Sequence, residues 1–84
     1  MLITDILQRL QIIDRLIQKE KTGTPSELAS KLGLSDRSVY EYLTLMKSLN
    51  APIKFCPIRK SYYYDKKGRL VMSFEESKIG TKND

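Results

Sequence analysis

The chain has 84 residues, 40% of them hydrophobic, and a formal net charge of +5, which predicts one folded domain with a modest core and an affinity for a polyanion. Because it has no histidine and one cysteine, His-based acid–base catalysis, a structural zinc site and an internal disulfide are excluded, and we expect neither an enzyme nor a bound cofactor. No apolar run approaches the roughly 18 residues of a membrane span, and no signal-peptide pattern is present. Because the chain has one cysteine, we expect a reducing, cytoplasmic setting.

The first predicted element is a helix over residues 1–21, with its cap at Thr4. Its apolar stripe follows helical spacing through Ile6, Leu10, Ile13, Leu16 and Ile17. Leu7 and Ile12 lie at the two margins of that stripe, so the apolar surface is wider than one small core requires. These two residues either cover later parts of the chain or form the contact of a homodimer.

Residues 24–49 predict two helices joined by a tight turn. The first has a side-chain cap, a proline at its first position and a capping box, formed by Thr24, Pro25 and Glu27. Gly33 ends it in the left-handed conformation. Ser35 then caps the second helix, and Asp36 in its first turn is favourable against the helix dipole.

The spacing of small and apolar residues in these two helices is typical of a helix-turn-helix. Ala29 allows the helices to approach, Gly33 takes the turn, and Val39 fills the space beneath it. One face of the second helix is formed by Val39, Leu43, Met46 and Asn50. A turn of this kind presents the second helix to a partner, most often the major groove of DNA.

The second helix is predicted to end at residues 50–52, and a hairpin follows it. Its strands are residues 53–56 and 61–64, and its loop is residues 57–60. The four-residue loop sets a register that opposes Phe55 to Tyr62 and Ile53 to Tyr64. All four should face the core, while Lys54 and Tyr63 face outward; a slip of one residue would reverse this.

Two weaker elements complete the prediction. Residues 21–23 form a turn that could add a short strand to the hairpin, and residues 69–74 form a third strand after a turn at 65–68. Residues 75–84 are polar and are expected to be a flexible tail. Three helices followed by a wing of two or three antiparallel strands predict an α+β winged helix-turn-helix domain over residues 1–74.

The excess positive charge lies after the second helix of the motif. Residues 51–74 contain six Lys and Arg against one Asp, whereas the segments before and after them are nearly balanced. The candidate phosphate contacts are Lys54, Arg59 and Lys60, followed by Lys66, Lys67 and Arg69. The alternative is a solvated basic loop.

The outward face of the second helix provides the remaining candidate DNA contacts: Ser35, Arg37, Ser38, Tyr40, Glu41 and Thr44. Arg37 could pair with a guanine edge or a phosphate, or could simply pair with Glu41 four residues on. A carboxylate near DNA is repelled by phosphates, so Glu41 fits there only if it accepts from cytosine N4 or orients Arg37. Tyr40 suits either packing at the stripe edge or DNA contact, and the apolar Leu45 beside this face raises the chance of a protein partner.

Residues 9–64 resemble the N-terminal winged helix-turn-helix of DeoR-type and WYL-domain transcriptional regulators, and more loosely that of the biotin repressor. The matching segments are RLQIIDRLIQ, TPSELASKLGLSDRSVYEYL and APIKFCPIRKSYYY. The resemblance implies a transcription regulator that binds DNA. Two departures stand out: those regulators usually continue into an effector-binding domain, for which we expect no room here, and Glu41 occupies a position where the family usually has arginine.

The expected function is therefore that of a sequence-specific DNA-binding transcription factor without an effector domain. Its recognition helix, residues 36–49, would enter the major groove, and its basic wing, residues 53–64, would contact the backbone. A homodimer through the first helix would suit a two-fold DNA site. The alternative is a winged-helix protein-interaction module that uses the Glu41/Leu45 face, and a weaker one is RNA binding through the tyrosines of the hairpin.

Overall fold

Three helices followed by a two-stranded hairpin make up residues 2–71, the part of the chain that this computed structural model describes. The helices are α1 (Ile3–Lys19), α2 (Pro25–Leu32) and α3 (Asp36–Ser48), and the strands are β1 (Ile53–Cys56) and β2 (Ser61–Tyr64). The two strands pair antiparallel. The predicted α+β winged helix-turn-helix is confirmed.

The start of α1 differs from the prediction. Leu2 precedes the helix in an extended conformation, and its backbone N–H donates to Asp5 Oδ2 at 3.4 Å. The Asp5 carboxylate thus accepts a hydrogen bond from the residue that precedes the helix. The helix begins at Ile3, so Thr4 lies inside its first turn. The predicted cap at Thr4 is therefore wrong.

The starts of α2 and α3 follow the local signals of the sequence. The Thr24 side chain accepts from the Glu27 N–H at 3.2 Å, and the Thr24 N–H donates to Glu27 Oε1 at 2.8 Å, which completes the predicted capping box. Ser35 Oγ accepts from the Ser38 N–H at 3.2 Å and caps α3. Both predicted caps are confirmed.

The three described helices end in the same way. Glu20, Gly33 and Asn50 each adopt a left-handed conformation, with φ of 54°, 65° and 72°. The amide of the following residue then closes on a carbonyl of the last turn, as in Lys21 N to Leu16 O at 2.9 Å. This is the Schellman arrangement, and the sequence predicted it only at Gly33.

Asn50 lies where the second helix is predicted to end. α3 ends at Ser48, so Asn50 lies beyond the helix and is exposed rather than on the face of Val39, Leu43 and Met46. Its left-handed conformation turns the chain towards β1 and so terminates the helix.

The core lies between the three helices and the inner face of the hairpin. Its buried apolar side chains are Leu10, Ile13, Ile17, Leu28, Ala29, Val39, Tyr42, Leu43, Met46, Ile53 and Tyr62. Ile6 and Leu16 are half-buried at its edge, whereas Leu7 and Ile12 are exposed. Tyr42, only 8% exposed, was missed as a core residue.

The hairpin register is the predicted one, with Phe55 opposite Tyr62 and Ile53 opposite Tyr64. Ile53 and Tyr62 are buried, and Phe55 and Tyr64 pack against the core from partly buried positions. The predicted packing of two of the three tyrosines is thus confirmed. Tyr63 is half-buried rather than fully outward, because the Arg59 guanidinium lies 5.6 Å from its ring centroid.

The turn at 21–23 contacts the hairpin through side chains and forms no strand. The Thr22 N–H donates to Ser61 Oγ at 3.2 Å, and the Tyr62 N–H donates to Thr22 Oγ1 at 2.8 Å. Both hydroxyl residues are buried, so these bonds fix the connection between α1 and α2 against β2.

Asp14 holds the other end of β2. This carboxylate of α1 is 7% exposed and accepts from the Tyr64 hydroxyl at 2.5 Å, the Leu70 N–H at 3.0 Å and Gln18 Nε2 at 2.8 Å. It therefore joins α1 to the hairpin and to the segment after it. Residues 69–71 are not in a strand; the rest of the predicted third strand and the predicted tail lie outside the described residues.

Candidate nucleic-acid interface

The N-terminal end of α3 is held against α2, which fixes how its outward face is presented. Ser26 Oγ donates to Asp36 Oδ2 at 2.8 Å across the two helix starts. The Ser35 hydroxyl caps the helix and lies 3.2 Å from Ser38 Oγ. Ser35 and Ser38 are thus partly engaged within the protein, although Ser35 is exposed and Ser38 half-exposed.

The outward face of α3 brings four of the predicted contacts together around one open depression: Arg37, Tyr40, Glu41 and Thr44. Arg37 Nε lies 3.4 Å from Glu41 Oε2, and the two side chains are 88% and 67% exposed. An ion pair this exposed is weak, so either partner can exchange the other for a ligand. Both possibilities raised for Glu41, bracing Arg37 and accepting from a base, are compatible with this geometry.

Tyr40 is 52% exposed on this face. The pKa of Tyr62 on β2 is raised above its usual value, first because Tyr62 is buried and second because of the electrostatic influence of Tyr40.

The tip of the hairpin is bound to the protein itself. Arg59 pairs with Glu20, the residue that ends α1, and also lies over the Tyr63 ring. The Cys56 hydrogen bond and the Glu20 charge raise the pKa of Arg59. In return, the Arg59 backbone N–H and guanidinium lower the pKa of the Cys56 thiol.

The other two predicted wing contacts have carboxylates nearby. Lys54 Nζ lies 3.3 Å from Asp65 Oδ2. Lys60 is exposed, and its charge is one of the smaller influences that lower the pKa of Glu27, behind the hydrogen bonds from Thr24. The structure thus places all three predicted wing residues at the surface and pairs two of them, Lys54 and Arg59, with carboxylates.

A second, apolar depression borders the neighbouring side of α3 and shares Glu41 with the first. It is lined by Ile6 of α1 and by Ser38, Glu41, Tyr42 and Leu45 of α3. Arg9 of α1 donates to the Tyr42 hydroxyl at 3.4 Å, which ties the two helices together there. Leu45 is 40% exposed, so this depression adjoins the outward face.

Buried polar residues fix the hairpin and were not predicted from the sequence: Asp14, Thr22 and Ser61. For Asp14 a signal existed: it falls on the apolar stripe of α1, between Leu10 and Ile17, where a carboxylate must find donors. Thr22 and Ser61 have no comparable local signal. Among residues 2–71, no group of His, Cys, Asp and Glu could hold a metal ion. No helix in this range is both long and apolar enough to cross a bilayer.

Comparison with models of known protein families finds a match. A family model described as an HTH domain matches residues 8–60, which cover α1 from residue 8 onward, α2, α3, β1 and the hairpin loop. No curated protein and no solved structure matches the chain. The closer likeness to DeoR-type and WYL-domain regulators stays a prediction.

Proposed function

The chain belongs to the HTH domain family, a DNA-binding helix-turn-helix domain found in winged-helix regulators, and on that basis we propose that it binds double-stranded DNA with sequence preference and regulates transcription. In this proposal α3 enters the major groove, and the basic hairpin and the segment after it contact the backbone.

One observation supports this assignment above the others. Arg37, Tyr40, Glu41 and Thr44 surround one open depression on α3. Arg37 is in the first turn of α3, where side chains of a recognition helix reach base edges. Its weak pairing with Glu41 leaves the guanidinium able to exchange a carboxylate for guanine O6 and N7.

The test compares binding to random-sequence and selected duplexes. Wild type should select a preferred sequence, and log K against log[NaCl] should have a slope of about −4 to −5, as expected for about four to six neutralised phosphates. Arg37→Ala should reduce discrimination by about 10- to 100-fold at one position, whereas replacing Arg59 and Lys60 should weaken binding to every sequence. If Arg37→Ala leaves the preference unchanged, α3 does not contact bases as proposed.

A homodimer would place two copies of α3 on a two-fold site. The exposed Leu7 and Ile12 of α1 support it, but they lie about 140° apart on the helix at 100° per residue, so a single helix–helix contact would cover one of them. Sedimentation of Leu7→Glu and Ile12→Glu would identify which one. A monomer in wild type, with and without DNA, would exclude the dimer.

The alternative function is a protein-interaction module. The apolar depression at Leu45 favours it, because partly apolar depressions beside polar rims are typical of protein contacts. Leu45→Glu should then abolish capture of the partner and leave DNA affinity intact. A loss of DNA affinity instead would place Leu45 at the DNA interface.

A further inference from the structure

The six cations of residues 51–71 differ in their neighbours. Lys54 and Arg59 form ion pairs, whereas within residues 2–71 Lys60 forms none and its charge only helps to lower the pKa of Glu27. No carboxylate of residues 2–71 forms an ion pair with the other three, Lys66, Lys67 and Arg69. Three of the four cations of this basic segment that form no such ion pair therefore lie after β2, and the fourth, Lys60, lies in the hairpin loop.

These three side chains line one cleft of about 270 Å³ at the base of the hairpin. The segment 66–70 forms one wall, and Tyr64 and the residues that follow α3 form the other. Among residues 2–71, no carboxylate lines the cleft. We call Lys66, Lys67 and Arg69, with this cleft, the hairpin-base site.

The segment is fixed at both ends although it has no regular secondary structure. The Asp65 N–H donates to Pro52 O at 2.7 Å, and the Leu70 N–H donates to the buried Asp14 at 3.0 Å. Leu70 also packs against the core. Cations held on a fixed backbone lose less conformational freedom when they bind an anion than cations on a mobile loop.

The C-terminal end of α3 disfavours binding of an anion nearby, because its last carbonyls form the negative end of the helix dipole. Here those carbonyls are occupied: the Asn50 N–H donates to Lys47 O at 2.9 Å and the Ala51 N–H donates to Met46 O at 3.1 Å. Three cations with no paired carboxylate outweigh the remaining partial charge.

We propose that the hairpin-base site binds phosphate, and that its source is the backbone of the duplex that α3 enters. This inference rests on the proposed function, and it assigns most of the affinity for DNA to the hairpin-base site. The hairpin-base site, not the hairpin tip, supplies the principal phosphate contacts, because Arg59 at the tip must first give up Glu20.

The test is the salt dependence of binding to a random-sequence duplex, measured by fluorescence anisotropy. Lys66→Gln/Lys67→Gln/Arg69→Gln should flatten the slope of log K against log[NaCl] by about 2 to 3 and weaken binding at least about tenfold at 100 mM NaCl. The matched control, Arg15→Gln/Lys19→Gln/Lys21→Gln, makes the same change in net charge on α1 and the residues after it. Its slope should stay within about half a unit of wild type.

The outcomes separate the two proposals. If wild type binds DNA and both triple variants behave alike, the hairpin-base site is wrong and the proposed function stands. If wild type binds no DNA at low salt, the proposed function fails and with it the DNA source of the phosphate.

Titration with sodium tripolyphosphate, followed by the amide chemical shifts of residues 66–70, tests a free phosphate as the source. Shifts in wild type that the triple variant lacks, with DNA binding unaffected by the same variant, overturn the assignment to DNA. Equal thermal unfolding of the triple variant and wild type establishes that the variant is folded.

Discussion

Removing one hydroxyl should loosen the hairpin from α1. Tyr64→Phe deletes the donor that lies 2.5 Å from Asp14 Oδ1 and leaves that buried carboxylate with the Leu70 N–H and Gln18 as its remaining donors. A hydrogen bond to a charged group contributes about 1.5–3 kcal/mol, and the loss also leaves a buried acceptor less well satisfied. We expect the free energy of unfolding to fall by about 2 kcal/mol.

The shift in melting temperature follows from the size of the domain. For 60–100 residues, each kcal/mol lowers Tm by about 4–8 °C, so Tyr64→Phe should melt about 8–16 °C below wild type at pH 7. Circular dichroism during thermal and urea unfolding measures both quantities. The matched control is Tyr63→Phe, which removes a hydroxyl from the neighbouring position of β2 and should change stability by less than about 0.5 kcal/mol.

The same contact predicts a dependence on alkaline pH. Burial, and then the hydrogen bond to Asp14, raise the pKa of Tyr64 above its usual value of 10.0. Above pH about 10 the unfolded chain releases this proton more readily than the folded protein, so the stabilisation is complete below pH 10 and is lost as pH rises further. The stability difference between wild type and Tyr64→Phe should therefore shrink above pH 10. A difference below about 0.5 kcal/mol at pH 7 that stays constant to pH 11 would refute the role of this hydroxyl.

Two further predictions concern the hairpin tip and the turns. Glu20→Gln should strengthen DNA binding and steepen the salt slope by up to about one, because Arg59 loses its carboxylate partner. In an Arg59→Gln background the same change should have little effect; equal gains in both backgrounds would show that Glu20 acts only through net charge. Gly33→Ala should cost about 1–2 kcal/mol for its left-handed backbone, and Gly23→Ala should cost more, because its Cβ would also lie 2.8 Å from Glu27 Cβ. Urea unfolding compares the two, and equal losses would mean that Glu27 moves aside.

The correctly predicted features are determined by residues that lie close together in the sequence. Thr24 and Glu27 cap each other across one turn, and Gly33 takes the left-handed conformation without a Cβ penalty. The hairpin register follows from the loop length and from alternation, which place Phe55 against Tyr62 at a ring-centroid distance of 4.9 Å. Such signals act over a few residues, so they are visible without the fold.

The missed features join residues that are far apart in sequence. Arg59 pairs with Glu20 across 39 positions, and Leu70 donates to Asp14 across 56. No periodicity or turn rule connects those positions. The consequence for the candidate site is direct: Arg59 is a predicted phosphate contact, and only the fold brings the Glu20 carboxylate to it.

If α3 enters the groove as proposed, its zero net charge means that affinity and sequence preference come from different residues. Asp36, Arg37, Glu41 and Lys47 give this helix no net charge, so phosphate neutralisation must come from residues beyond it. The Glu41 carboxylate then weakens binding to every DNA sequence that offers it no hydrogen-bond donor. It is tolerated where cytosine N4 can donate to it or where it orients Arg37 towards guanine. Glu41 would therefore act mainly by penalising wrong sequences. Replacements on α3 should change preference at constant salt slope, and replacements at the hairpin-base site should change the slope at constant preference.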